Sequence, residues 1–82
     1  MSEYSYVYIL QSELDSSRHY TGLTDDLKER LAKHNKGDVP HTSKHRPWRL
    51  RVALAFPDRE RAAAFEAYLK THSGRVFASR HF

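Results

Sequence analysis

Three observations predict a small α+β domain. The chain has 82 residues, enough for one hydrophobic core and too few for two. Its apolar pattern switches between short β-branched and aromatic runs and longer stretches with helical spacing. Two of the strand-like runs precede the first helix, and the remaining elements follow in the order β-β-α-β-α-α. The expected architecture is a three-stranded, mostly antiparallel sheet flanked by helices, as a single domain over residues 1–82.

The first strand spans Tyr4 to Gln11. It is apolar on both faces, with Tyr4, Tyr6, Tyr8 and Leu10 on one and Val7 and Ile9 on the other, which predicts a central strand. The polar stretch Ser12 to Arg18 reads as a hairpin connection to a short second strand, His19 to Leu23. Gly22 is expected to end that strand where the chain bends closely. Asp25 or Asp26 then caps a helix running to about Asn35, with Asp26 and Glu29 at capping-box spacing and Gly37 as its stop. Lys36 to Arg49 is a loop containing Pro40, Pro47 and six basic or histidine side chains. A third strand follows over Leu50 to Phe56, and Pro57-Asp58 starts a second helix, Arg59 to Lys70. Ser73 is expected to cap a short third helix, with Val76, Phe77 and Phe82 facing inward. Trp48 is expected to be a core or strand-edge anchor, and Tyr4, Tyr6 and Tyr68 to be packing residues.

Composition narrows the function classes. No apolar run is long enough to cross a bilayer, so no membrane partner is expected. Met1-Ser2-Glu3-Tyr4 lacks the basic-then-apolar pattern of a secretory signal, and the chain has no cysteine, which excludes disulfides and thiolate zinc sites. Together these lead to the expectation of a cytoplasmic protein. The formal charge of +4 fits a nucleic-acid partner without separating DNA from RNA.

The first helix places Leu27 and Leu31 one turn apart on the expected core side, with Arg30 and His34 one turn apart on the flank of that stripe. A helix with many exposed positions has little structural reason to set an arginine and a histidine beside its apolar seam. An anion-binding site supplies one. On the second helix Glu66 falls inside the stripe formed by Ala62, Phe65 and Leu69, where an unpartnered carboxylate is costly. These residue types fit phosphodiester hydrolysis, which needs an activated water, a cation on the phosphoryl charge and help for the leaving oxygen. Glu66 would hold one Mg²⁺ or Mn²⁺, Arg30 would clamp the phosphate with its planar fork, and His34 would supply a hydrogen bond or a proton. Tyr8 and Tyr20, on neighbouring strands, would point their hydroxyls into the same pocket. Lys44, Arg46 and Arg75 join Arg30 as expected nucleic-acid contacts. His41 and His45 lack the further ligands that a zinc site needs.

The ordered set of these residues resembles the GIY-YIG nuclease family over nearly the whole chain. Where that family has Gly-Ile-Tyr and then Tyr-Ile-Gly on its first two strands, this sequence has Val7-Tyr8-Ile9 and Tyr20-Thr21-Gly22. The family arginine, histidine and glutamate fall on Arg30, His34 and Glu66. The segments His41-Thr42-Ser43-Lys44, Arg46-Pro47-Trp48, Phe65 to Lys70 and Ser73-Gly74-Arg75 are similar to those of small standalone members. Two departures stand out. Val7 replaces a glycine, and no asparagine follows Glu66, where many members carry one. The resemblance implies DNA cleavage with one divalent metal on Glu66 and Tyr8 activating water, with Tyr20 supporting. It implies a setting in DNA repair or processing. Larger members, including homing endonucleases and the bacterial excinuclease, attach this module to a separate DNA-binding domain.

Two other expectations follow from the same residues. The chain is a monomer or weak homodimer, with specificity supplied by a protein partner. The alternative function is a non-catalytic nucleic-acid-binding module or accessory protein on the same scaffold.

Overall fold

A computed structural model of the protein describes residues 3–82; Met1 and Ser2, where the signal expectation begins, lie outside the described residues. The chain forms β1 (Ser5–Ser12), β2 (His19–Thr24), α1 (Leu27–Lys36), a short 3-10 turn (Ser43–His45), β3 (Trp48–Phe56), α2 (Arg59–Leu69) and α3 (His72–His81). This is the expected β-β-α-β-α-α order. The sheet has the order β2-β1-β3, and both pairings are antiparallel.

The central position of β1 explains its two apolar faces. Val7 and Ile9 point to one side and meet Ala62 of α2 and Leu69 at its end, with Phe65, Phe77 and Phe82 packed around them. Tyr8 and Leu10 point to the other side and meet Trp48, with Tyr20, Leu27 and Leu31 around them. A register shift between Ile9 and Leu10 breaks the regular pairing of β1 with β3.

Local chemistry sets the helix ends. Asp26 caps α1 by accepting from Glu29 N at 3.0 Å, and Gly37 closes it in the left-handed region at φ 84°. The Glu29 side chain pairs with Lys33 at 3.1 Å. Asp58 caps α2 by accepting from Glu60 N at 2.8 Å. The hairpin connection is held by Ser12, whose Oγ donates to His45 O and accepts from the backbone N–H groups of Leu14 and Asp15.

Several expected details change. β2 continues through Gly22 to Thr24, so that glycine lies within the strand. β3 begins at Trp48, because Ser12 and Gln11 pair with Trp48 and Arg49. α3 begins at His72 and is capped by Thr71, whose hydroxyl accepts from Gly74 N at 3.1 Å; Ser73 lies inside the helix. Gly74 is required at that corner, since a Cβ there would overlap the Tyr68 carbonyl. Phe77 and Phe82 face inward, whereas Val76 stays exposed because it lies off the stripe that meets α2. Among the described residues no helix is long and apolar enough to cross a membrane.

Candidate functional site at the β2 edge

The most buried residue of α1 is neither leucine of its stripe but His34, with no exposed surface, while Leu27 and Leu31 are only half-buried. A buried imidazole needs partners for both ring nitrogens. Nε2 lies 3.0 Å from the Tyr8 hydroxyl and Nδ1 lies 2.8 Å from Thr42 Oγ1. Thr42 Oγ1 also donates to Val39 O at 3.3 Å. A carbonyl only accepts, so the threonine hydroxyl directs its proton to Val39 and its oxygen is left to accept from His34. That chain of bonds assigns the imidazole proton to Nδ1 and leaves Nε2 to accept from Tyr8. Burial first, and then the Arg30 charge, hold His34 below its ordinary pKa near 6.5, so it is neutral at pH 7.

Thr42 is itself held by the start of β3. Its carbonyl accepts from Trp48 Nε1 at 2.8 Å. Asn35, at the end of α1, grips the Trp48 backbone from both sides, accepting from N at 2.6 Å and donating to O at 3.0 Å. The loop between α1 and β3 is thus anchored behind the histidine.

Tyr8 extends from β1 across β2. Its register partner there is Gly22, and a Cβ on Gly22 would overlap the Tyr8 hydroxyl and ring. The glycine is needed for this close approach, not for a turn. The crossing carries the phenol toward the outer edge of the sheet. Burial is the largest influence on the Tyr8 hydroxyl, followed by the neighbouring Tyr20, and Glu66 adds to both. The Arg30 charge and hydrogen bond oppose them, and the net effect pushes Tyr8 up to about 12. The rings of Tyr20 and His34 lie 4.9 Å apart, and those of Tyr8 and Tyr20 6.3 Å. Beside Tyr8 and Arg30 a cleft of about 260 Å³ opens, walled by Leu27, Leu31 and Leu50.

Arg30 and His34 reach this place from α1, on one face of the sheet, while Glu66 acts on Tyr8 from α2, on the other. Glu66 is mostly buried and pairs with Lys70 at 3.1 Å. Its carboxylate therefore already faces a cation. Among the described residues no group of three or more His, Cys, Asp or Glu side chains is placed to hold a metal. A single carboxylate suits Mg²⁺, which keeps most of its waters, and does not suit zinc.

The structure thus groups Tyr8, Tyr20, Arg30 and His34, while the Glu66 charge acts on the Tyr8 hydroxyl from α2. Lys44 and Arg46 lie elsewhere, exposed around the 3-10 turn, with the Arg46 guanidinium over Gly37. Arg75 lies in a separate groove on the α2–α3 side. Thr42 and Asn35 escaped the sequence reading. For Thr42 a signal was present, in the family-like segment His41 to Lys44, but the charge of Lys44 is the more conspicuous feature there.

The geometry agrees with comparison to known proteins. The chain matches the GIY-YIG catalytic domain family over residues 4–79. A UPF0213 protein of Halalkalibacterium halodurans is 39% identical over 71 residues, covering 85% of this chain and 73% of its own. A UPF0213 protein of Streptococcus pneumoniae is 37% identical over 71 residues, covering 85% and 70%. The structure-specific endonuclease subunit SLX1 of Cryptococcus neoformans is 37% identical over 65 residues, which is 72% of this chain but 13% of that much longer one. A tyrosine laid over a strand glycine, joined to a helix arginine and histidine, sits in a chain matched over nearly its whole length: this protein belongs to the GIY-YIG catalytic domain family of nucleases.

Proposed function

We propose that the protein is a divalent-metal-dependent DNA endonuclease and that Tyr8, Tyr20, Arg30, His34 and Glu66 form its active site. The observation that supports this most is the buried Tyr8–His34 hydrogen bond beside Arg30, with the Glu66 charge acting on the same phenol from α2. Glu66 is the residue that would hold the metal. When bound, that ion stabilises the charge developing on the phosphoryl oxygens. Arg30 binds the same phosphate and orients it.

Tyr8 moves the proton. In the free protein its hydroxyl donates to His34 Nε2, and a free phenolate is several kcal/mol out of reach at neutral pH, at ~1.4 kcal/mol per pKa unit. The proton transfers are therefore concerted. The Tyr8 O–H bond breaks as its proton passes to His34 Nε2, while the Tyr8 oxygen takes a proton from water. The water oxygen bonds to phosphorus and the bond to the leaving oxygen breaks. The Arg30 guanidinium favours negative charge on the phenol oxygen, and a cation held at Glu66 would do the same. Thr42 keeps the receiving nitrogen of His34 unprotonated until that moment.

The SLX1 relative is named as a structure-specific endonuclease subunit, which supports a substrate recognised by its structure and a protein partner that supplies specificity; a setting in DNA repair or processing belongs to the same proposal. The test is cleavage of supercoiled plasmid and of labelled branched, nicked and single-stranded DNA, with Mg²⁺, Mn²⁺ or EDTA. Glu66→Ala is expected to lower cleavage by roughly 10²-fold or more with an unchanged melting temperature. A Glu66→Ala variant that cuts as wild type would remove Glu66 from the metal site. Salt-sensitive binding without metal-dependent product in wild type would instead favour a non-catalytic binding module.

A further inference from the structure

On the second sheet face, beyond the end of α2, lies a groove of about 510 Å³. This is within the ~300–1,000 Å³ of typical small-molecule sites. Its floor is apolar, made by Ile9, Leu69 and Ala78, and Tyr20 of β2 lines the side toward the β2-edge site. Its rim carries Arg51, Lys70 and Arg75, and no acidic residue lines it. The combination is unusual for a basic surface. Cations alone bind backbone phosphate anywhere, but an apolar lining inside a cationic rim matches a nucleobase carried between phosphates.

Two further observations favour this occupant. Arg51 is held in place before any ligand arrives: its Nε and Nη2 donate to Phe82 O at 3.1 and 2.9 Å, and its Nη1 lies 3.4 Å from His19 Nε2. A prearranged guanidinium loses little freedom on binding an anion. In addition, the groove and the β2-edge site share a boundary. Tyr20 lines one and touches His34 of the other, and Lys70 on the rim pairs with Glu66. A strand whose phosphate lies at Arg30 and Glu66 would therefore continue into the groove.

We propose that this groove is a nucleotide subsite: it takes one unpaired nucleotide of a DNA strand next to the phosphate to be cut, with the base on Ile9, Tyr20, Leu69 and Ala78 and the adjoining phosphate on Arg51 and Arg75. The proposal deepens the nuclease reading and rests on it for the direction of the strand. It assigns the enzyme a preference for substrates with a single-stranded segment beside the cut.

The experiment is an NMR titration of the full ¹⁵N-labelled chain in EDTA, where no cleavage occurs. The probes are the trinucleotide dT₃, thymidine monophosphate and inorganic phosphate. Saturating shifts at the amides of His19, Thr21, Leu69 and Ser79 are expected with dT₃, with binding about tenfold weaker for thymidine monophosphate. Arg75→Glu is expected to weaken dT₃ binding by about tenfold and to reduce its salt dependence. Ser79→Trp, at an exposed lining position, should fill the groove and abolish those shifts while spectral dispersion is retained. Shifts confined to α1 and residues 36–49 would overturn the subsite and leave the nuclease reading intact. Equal affinity for inorganic phosphate and dT₃ would reduce the groove to an anion patch and also overturn it. Groove shifts in a protein that cuts no DNA with any metal would support the subsite and defeat the nuclease reading.

Discussion

The two faces of the sheet are built on different principles. The face under α2 and α3 is closed by Val7, Ile9, Ala62 and Leu69, with Phe65, Phe77 and Phe82 stacked around them at ring separations of 5.5 to 6.4 Å. It needs no internal hydrogen bond. The face under α1 has Tyr8, Leu10 and Trp48 at its centre, and the buried His34 and Thr42 complete it. Each of those polar groups is satisfied by another, and no buried side-chain nitrogen or oxygen among the described residues lacks a partner. One face supplies stability through area, and the other supplies orientation through a directed chain of hydrogen bonds. In a chain this small the second depends on the first for a folded scaffold.

That contrast gives predictions with different readouts. The largest effect on stability belongs to the apolar face. Phe77→Ala leaves a cavity between α2 and α3, away from the groove lining, and is expected to cost ~3–5 kcal/mol, read from urea unfolding. Cleavage per folded molecule should stay close to wild type if packing is that residue's role; a large loss of activity in fully folded Phe77→Ala would break the contrast.

An intermediate effect is expected at Thr42. Thr42→Val keeps the volume but strands the His34 Nδ1–H, at about 1–3 kcal/mol of stability. Released from its tautomer, the imidazole should also serve Tyr8 less well, and cleavage should fall ~10–100-fold. Thr42→Ser, which restores the hydroxyl, should recover most of both. A Thr42→Val protein with wild-type activity would remove the threonine from the chain of bonds.

The smallest effect is a pH dependence of stability carried by His34. Its pKa in the folded protein lies below the ordinary value near 6.5, so below that pH the unfolded chain binds a proton that the folded chain refuses. This contribution is present above pH 6.5 and declines as the pH falls through the folded-state pKa. The groups facing the ring are Tyr8, Thr42, Tyr20 and Arg30: two phenols, an alcohol and a guanidinium, side chains that ordinarily titrate far above that range or not at all. Unfolding midpoints at pH 7.5 and 5.5 should differ less in His34→Gln than in wild type. An equal difference in both would show that other groups carry it.

The element order was legible along the chain because each element carried a local signal: aromatic and β-branched runs for β1 and β3, Asp26 and Gly37 for the ends of α1, Asp58 for the start of α2. The candidate site residues stood out for a related reason. Arg30, His34 and Glu66 break the helical pattern they sit in, and a broken pattern is visible without a structure. The errors fell where packing overrides local preference. Thr71 displaced Ser73 as a cap because Gly74 must fit against the Tyr68 carbonyl. The groove that Arg75 lines, with Ile9 of β1 and Arg51 of β3, was likewise not readable along the chain.

Fold class, the ends of α1, the start of α2 and the choice of candidate side chains thus came from patterns within a few residues of each other. Who touches whom did not. Gly22 looks like any turn glycine until Tyr8 is seen to cross it, and Thr42 looks like any loop threonine until His34 is found buried against it. Both roles depend on partners 14 and 8 residues away in the chain, brought together by strand register and by the Asn35–Trp48 clamp. Local propensity acts over one or two turns of chain, whereas a buried polar atom takes whichever partner the completed core leaves within 3 Å.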